Sequence, residues 1–124
     1  MMTGFLLVAA GGAVGASARY AVTLLMRPAN GAFPWHTLGI NVAGSFLLGL
    51  LTAVLPQSDA GERWRLLVGV GALGGFTTFS TFSVEALTLA RGDQWLPAAG
   101  YVLGSVVLAL AGAAAGYAAG RALV

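Results

Sequence analysis

The feature that most constrains this chain is its division into four long apolar stretches by three short polar interruptions, at Arg27 to Asn30, Gln57 to Arg65 and Arg91 to Gln94. A helix needs roughly 20 mainly apolar residues to cross a bilayer, and the four stretches, at about 4–26, 36–55, 64–90 and 97–120, are all long enough. Only 8% of the 124 residues are charged, against about 25% in a soluble domain. Six Arg, four acids and one His cannot cover a water-facing surface, so the solvent is lipid. The connections are short, which makes successive helices antiparallel neighbours in a single domain, residues 1–124. Pro28, Pro34, Pro56 and Pro97 stand at the span ends, where a missing N–H costs least. Trp35, Trp64 and Trp95 fall there too, as interfacial anchors. Ala16-Ser17-Ala18 has the form of a leader cleavage site, but no Lys or Arg precedes the first apolar run and glycines interrupt it, so it reads as a span.

Several function classes fall away on residue types alone. Without Cys there is neither a disulfide framework nor a thiolate metal site, and scattered arginines with no basic run offer nothing to a nucleic acid. His36 is the sole histidine and is expected at the interface, so no Ser/His/Asp or metal constellation can be assembled and an enzyme is not expected. Glycines repeat at a spacing of four (Gly11 and Gly15, Gly71 and Gly75, Gly100 and Gly104, then Gly112, Gly116 and Gly120), which is the pattern of close helix contact in membranes. The arginines near span ends divide evenly: Arg63, Arg65 and Arg121 on one side, Arg19, Arg27 and Arg91 on the other. Positive residues set orientation, and an even count predicts insertion both ways round and an antiparallel dimer.

The third span is the most informative. Gly74-Gly75 followed by Thr77-Thr78 is a poor recipe for an unbroken helix, because glycine loosens the backbone and threonine hydroxyls compete for its carbonyls. From Trp64 to Ala90 a straight helix would run roughly 40 Å, longer than the hydrocarbon core, which leaves room for a break. Non-helical backbone at that depth must be buried in protein, line water or bind an ion. After the break, Thr77, Thr78, Ser80, Thr81, Glu85 and Thr88 share one helical arc, and Phe76, Phe79, Phe82 and Ala86 take the opposite face. The second span carries a matching stripe of Thr37, Asn41, Gly44, Ser45, Leu48 and Thr52, and the fourth adds Tyr101 and Ser105. The stripes hold neutral donors and, within the spans, one carboxylate, Glu85, near an end. Such a lining suits a small anion better than a cation.

Three segments resemble the small fluoride channels called Fluc or CrcB. Gly11 to Tyr20 (GGAVGASARY) is similar to the family's first-span signature, Thr37 to Phe46 (TLGINVAGSF) to its second, and Gly74 to Phe82 (GGFTTFSTF) to its third. The last of these is highly specific, and the likeness covers essentially the whole chain. The resemblance implies an all-α membrane protein of four transmembrane helices per subunit with a broken third helix. It implies an antiparallel, dual-topology homodimer in the cell inner (plasma) membrane that exports fluoride passively and relieves its toxicity. By the same resemblance Asn41, Ser80, Thr81, Tyr101 and Ser105 line a polar track, while Phe79 and Phe82 present ring edges to the ion. A structural Na+ is held through the backbone carbonyls of Gly74 and Thr77, and Arg19 serves a vestibule or the fold. Two positions depart from the pattern: His36 stands where glycine is usual, expected to alter only an interfacial turn, and Ala109 stands where some relatives carry a hydroxyl, which bears on how far the hydroxyl line runs.

The alternative of similar size is a small four-span multidrug exporter. Proton-coupled export of a cation requires a carboxylate embedded in the membrane to exchange proton for drug. The first, second and fourth spans have none, and Glu85 is expected too near an end. A purely structural membrane subunit leaves the polar stripes and the break unused.

Overall fold

The computed structural model describes residues 1–26 and 29–124. Arg27 and Pro28, with the orientation and span-end readings attached to them, lie outside the described residues. Among the described residues, four helical units are long and apolar enough to cross a membrane: α1 (Met2–Met26), α2 (Trp35–Val54), a composite unit from Asp59 to Arg91, and a last helix, Trp95–Leu123. The composite unit begins five residues before the expected Trp64. Its first turn, α3 (Asp59–Trp64), is nucleated by Ser58, whose hydroxyl accepts the Gly61 N–H at 3.2 Å. Asp59 and Glu62 in that turn suit the positive end of a helix. The polar residues there mark where the helix leaves the hydrocarbon and do not end it.

From α3 the chain continues as a π-helical segment, Arg65–Leu73, then a single turn, α4 (Gly74–Phe76). Thr77 (φ −76°, ψ 157°) and Thr78 (φ −153°, ψ 119°) are extended, and helical geometry resumes in α5 (Phe79–Arg91). The last helix is α6.

Glycine explains how the units meet. A Cβ at Gly11 would overlap Leu67 O and one at Gly15 would overlap Ala72 O, so the first helix lies directly on the carbonyls of the π-helical segment. Gly116 stands in the same relation to Phe46 O, and Gly49 to Ala113 O, which seats α6 on α2. The spacing of four is not sufficient for contact, however: a Cβ at Gly100 or at Gly104 would meet nothing within 4 Å. Between the two close pairs, the third unit crosses α2 at the break. A small core of Phe82, Leu89, Ala98 and Tyr101 joins α5 to α6 near the α1–α2 connection, with Phe33 and Leu38 packed on it. Large apolar side chains elsewhere, such as Leu103 and Val107, point outward, as lipid-facing residues do.

Candidate functional site

Two extended residues in mid-span leave backbone groups that a helix would have satisfied, and the surrounding side chains take them up. Asn41 on α2 reaches Thr78 in both directions: its Oδ1 accepts the Thr78 N–H at 2.8 Å and its Nδ2 donates to Thr78 O at 3.0 Å. Arg19 on α1 donates from Nε to Gly75 O at 3.2 Å. Thr77 turns its hydroxyl back to Leu73 O at 3.0 Å, while its methyl fills the space that Gly44 leaves. The Thr78 hydroxyl caps α5 by accepting the Thr81 N–H at 3.2 Å. The N–H groups that an unbroken helix would send to Gly74 O and Thr77 O, those of Thr78 and Thr81, are thus used elsewhere.

Against this break lies an open-sided cavity of about 390 Å³, walled by α2, the break, α5 and α6. Asn41, Ser45, Thr78 and Ser105 supply its polar lining, and Phe79 and Phe82, with ring centroids 5.3 Å apart, form one wall. Ser105 is buried, and its Oγ has no hydrogen-bond partner among the described residues. A buried hydroxyl without a partner is costly, and this one belongs to a residue of the cavity wall. A second cavity of about 320 Å³, bordered by Thr52, Arg65 and Gly69, shares Leu48 as a common wall with the first.

On the other side of Phe82, three helices converge on one carboxylate. Glu85 accepts from the Thr37 hydroxyl at 2.9 Å and from the Tyr101 hydroxyl at 2.6 Å, and His36 Nε2 lies 3.2 Å from its Oε1. Tyr101 is completely buried, with its ring 5.1 Å from that of Phe82.

Of the residues named from sequence, Asn41, Phe79, Phe82 and Ser105 meet at the first cavity, together with Gly74 and Thr77. Ser80 and Thr81 do not line it: their hydroxyls sit with that of Thr78 at the start of α5, at 3.3 and 3.0 Å. Tyr101 stands behind Phe82 with its hydroxyl committed to Glu85. Arg19 supports the break. Thr77 and Thr78 leave the arc expected for Thr77 to Thr88, because both are extended, while Ser80, Thr81, Glu85 and Thr88 keep their relative phase within α5. His36 is helical and not part of a loop: it is the second residue of α2 and is buried against its neighbours. The sequence did contain a signal for its partner, since a lone carboxylate inside a span must be paired. What was missing was the crossing that brings Thr37 and His36 opposite it.

Residues 6–117 match the family described as CrcB-like protein, Camphor Resistance (CrcB). A protein of Idiomarina loihiensis named Fluoride-specific ion channel FluC is 50% identical over 108 residues, covering 86% of this chain and 84% of that one. The protein of the same name from Paracoccus denitrificans is 46% identical over 119 residues, 96% of this chain and 95% of its own. That of Rhizobium meliloti is 42% identical over 125 residues, 99% of this chain and the whole of its own.

Proposed function

The chain belongs to the CrcB family, and on that premise we propose that it is a fluoride-selective ion channel of the inner membrane, not an enzyme, working as an antiparallel homodimer. The observation that carries the reading is the first cavity: neutral donors from Asn41 and the unpartnered Ser105 hydroxyl face a wall of two phenyl rings. Fluoride is small and strongly hydrated, so a pore for it must replace water with closely spaced donors. The positive edge of a phenyl ring is a weak donor that does not hold the ion too tightly. No carboxylate lines either cavity, which argues against a proton-coupled cation exporter. The direction of transport follows from the membrane potential. Hydrogen fluoride crosses lipid uncharged and dissociates in a more neutral cytoplasm, and the negative interior then drives the anion out through a passive route.

The even division of arginines supports insertion in both orientations, and the open side of the cavity supports a second subunit beside it. Gly74 O and Thr77 O, relieved of their helical donors, are hard oxygen ligands of the kind a small cation takes, and they would hold a structural Na+ that fixes the break. Fluoride efflux from proteoliposomes, compared with chloride efflux under the same gradient, tests the main reading. Fluoride release with chloride retained is the expected result; equal release of both, or of neither, sinks it. Thorough removal of sodium from both sides should abolish the flux, and flux that survives with the dimer intact excludes the sodium role.

A further inference from the structure

His36 is the side chain that the pathway does not use and the fold nonetheless buries. It begins α2 with 7% of its surface exposed, and its Nε2 lies 3.2 Å from Glu85 Oε1. Histidine is the residue whose charge changes near neutral pH. Its partner is the only carboxylate between Trp64 and Ala90, the apolar part of the third unit. Glu85 follows Phe82 by one helical turn, and Phe82 lines the first cavity. The charge of the pair therefore lies one helical turn behind that wall, close enough for its field to reach the cavity although no carboxylate lines it. Two further groups share the carboxylate, the hydroxyls of Thr37 and Tyr101, and both are neutral donors that cannot cancel its charge. The ionisable groups facing the imidazole are Glu85 from α5 and, across the carboxylate, Tyr101 from α6. Arg91 and Asp93, at the same end of the bundle, are exposed to solvent and form no ion pair with the cluster among the described residues.

We propose that His36 is the proton sensor of the pathway, a positioning residue that acts through Glu85 and makes anion flux rise as the pH falls. With the imidazole protonated, the pair is neutral and the anion meets only donors. With the imidazole neutral, Glu85 keeps a carboxylate charge that is uncompensated in a low-dielectric setting, and an approaching anion is repelled. The inference rests on the channel reading above. It adds to it that the conductance is greatest in the acidic medium where uncharged weak acid loads the cell fastest.

The test is fluoride efflux from vesicles carrying the full-length dimer, with equal pH on both sides and the leak of protein-free vesicles subtracted. Flux should rise about fivefold or more from about pH 8 to about pH 6. His36→Gln, which keeps a donor but cannot titrate, should flatten the profile at the lower level. Glu85→Gln should flatten it at the higher one. Because His36 is the sole histidine, its titration can be followed directly by NMR on histidine-labelled protein, and its midpoint should coincide with that of the flux. A flat wild-type profile, a step retained in His36→Gln, or an NMR midpoint remote from the flux midpoint overturns the proposal, even if neither variant assembles. Absence of fluoride flux at every pH would instead overturn the channel reading, and this one with it.

Discussion

Asn41 is where one side chain decides the conformation of another element. It satisfies both backbone groups of Thr78, and leaving such groups without partners costs about 1–3 kcal/mol each. Asn41→Asp is the sharper substitution, because the acceptor toward Thr78 N–H survives while the donor to Thr78 O is replaced by negative charge. At low effective dielectric that charge repels an anion by several kcal/mol. Fluoride flux through Asn41→Asp at neutral pH should fall about a hundredfold or more in assembled dimers. Near-normal flux removes Asn41 from the pathway. The two phenylalanines separate packing from permeation. Phe82 is 7% exposed against Tyr101 and Phe79 is 77% exposed, so Phe82→Ile should lose about 1 kcal/mol or more of stability and Phe79→Ile very little. Both should lose flux steeply, since an alkyl chain has the volume without the positive ring edge. Flux unchanged in both would return the rings to a packing role. Residue types and spacing made Asn41, Phe79, Phe82 and Ser105 legible in the sequence. Which hydroxyls face the cavity was not legible, because Thr77 and Thr78 shift the phase of everything after them.

Among the elements, α1 and the third unit show why a glycine motif has to be read one position at a time. Gly15 lies on Ala72 O, whereas a Cβ at Gly12, on the same helix, meets nothing within 4 Å. Gly15→Ala should therefore lower the thermal stability of the purified protein by several degrees, a loss on the order of 2 kcal/mol from overpacking. Gly12→Ala should be neutral or slightly stabilising through helix propensity. Equal effects of the two would mean that the helices do not pack as described. Four apolar helices, their order and their antiparallel course followed from hydropathy and loop length. The start at Asp59 was missed, because the polar run Gln57 to Arg65 reads as a connection; Ser58 as a cap is the signal that marks it. The π-helical stretch was not legible. Gly69 and Gly71 make a widened turn inexpensive, but sequence periodicity cannot distinguish a permitted turn from one imposed by a neighbouring helix.

At the scale of the whole molecule, charge and hydrogen bonding are distributed differently. Among the described residues, Arg63, Arg65 and Arg121 lie toward one end of the bundle and Arg19 and Arg91 toward the other, so neither orientation is strongly favoured. Two or three lysines added after Val124 should lock one orientation and abolish fluoride flux, with recovery on co-expression of a variant locked the other way. Full activity from one locked form would exclude the antiparallel dimer. The side-chain hydrogen bonds that span far along the chain (Arg19 to Gly75, Asn41 to Thr78, Thr37 and Tyr101 to Glu85, Gln94 to Gly31) all fall at the break or at the end formed by the α1–α2 and α5–α6 connections. Toward α3 and the end of α6, the side-chain bonds of Ser58, Thr52 and Arg65 are local, to residues three or four positions away, and glycine contacts such as Gly116 on Phe46 O hold the helices together. The molecule is built like tongs, riveted at one end and merely pressed together at the other. The pressed end is held by close packing without long-range side-chain bonds among the described residues, so its amides should be the first to gain hydrogen exchange when a detergent micelle takes the bilayer's place.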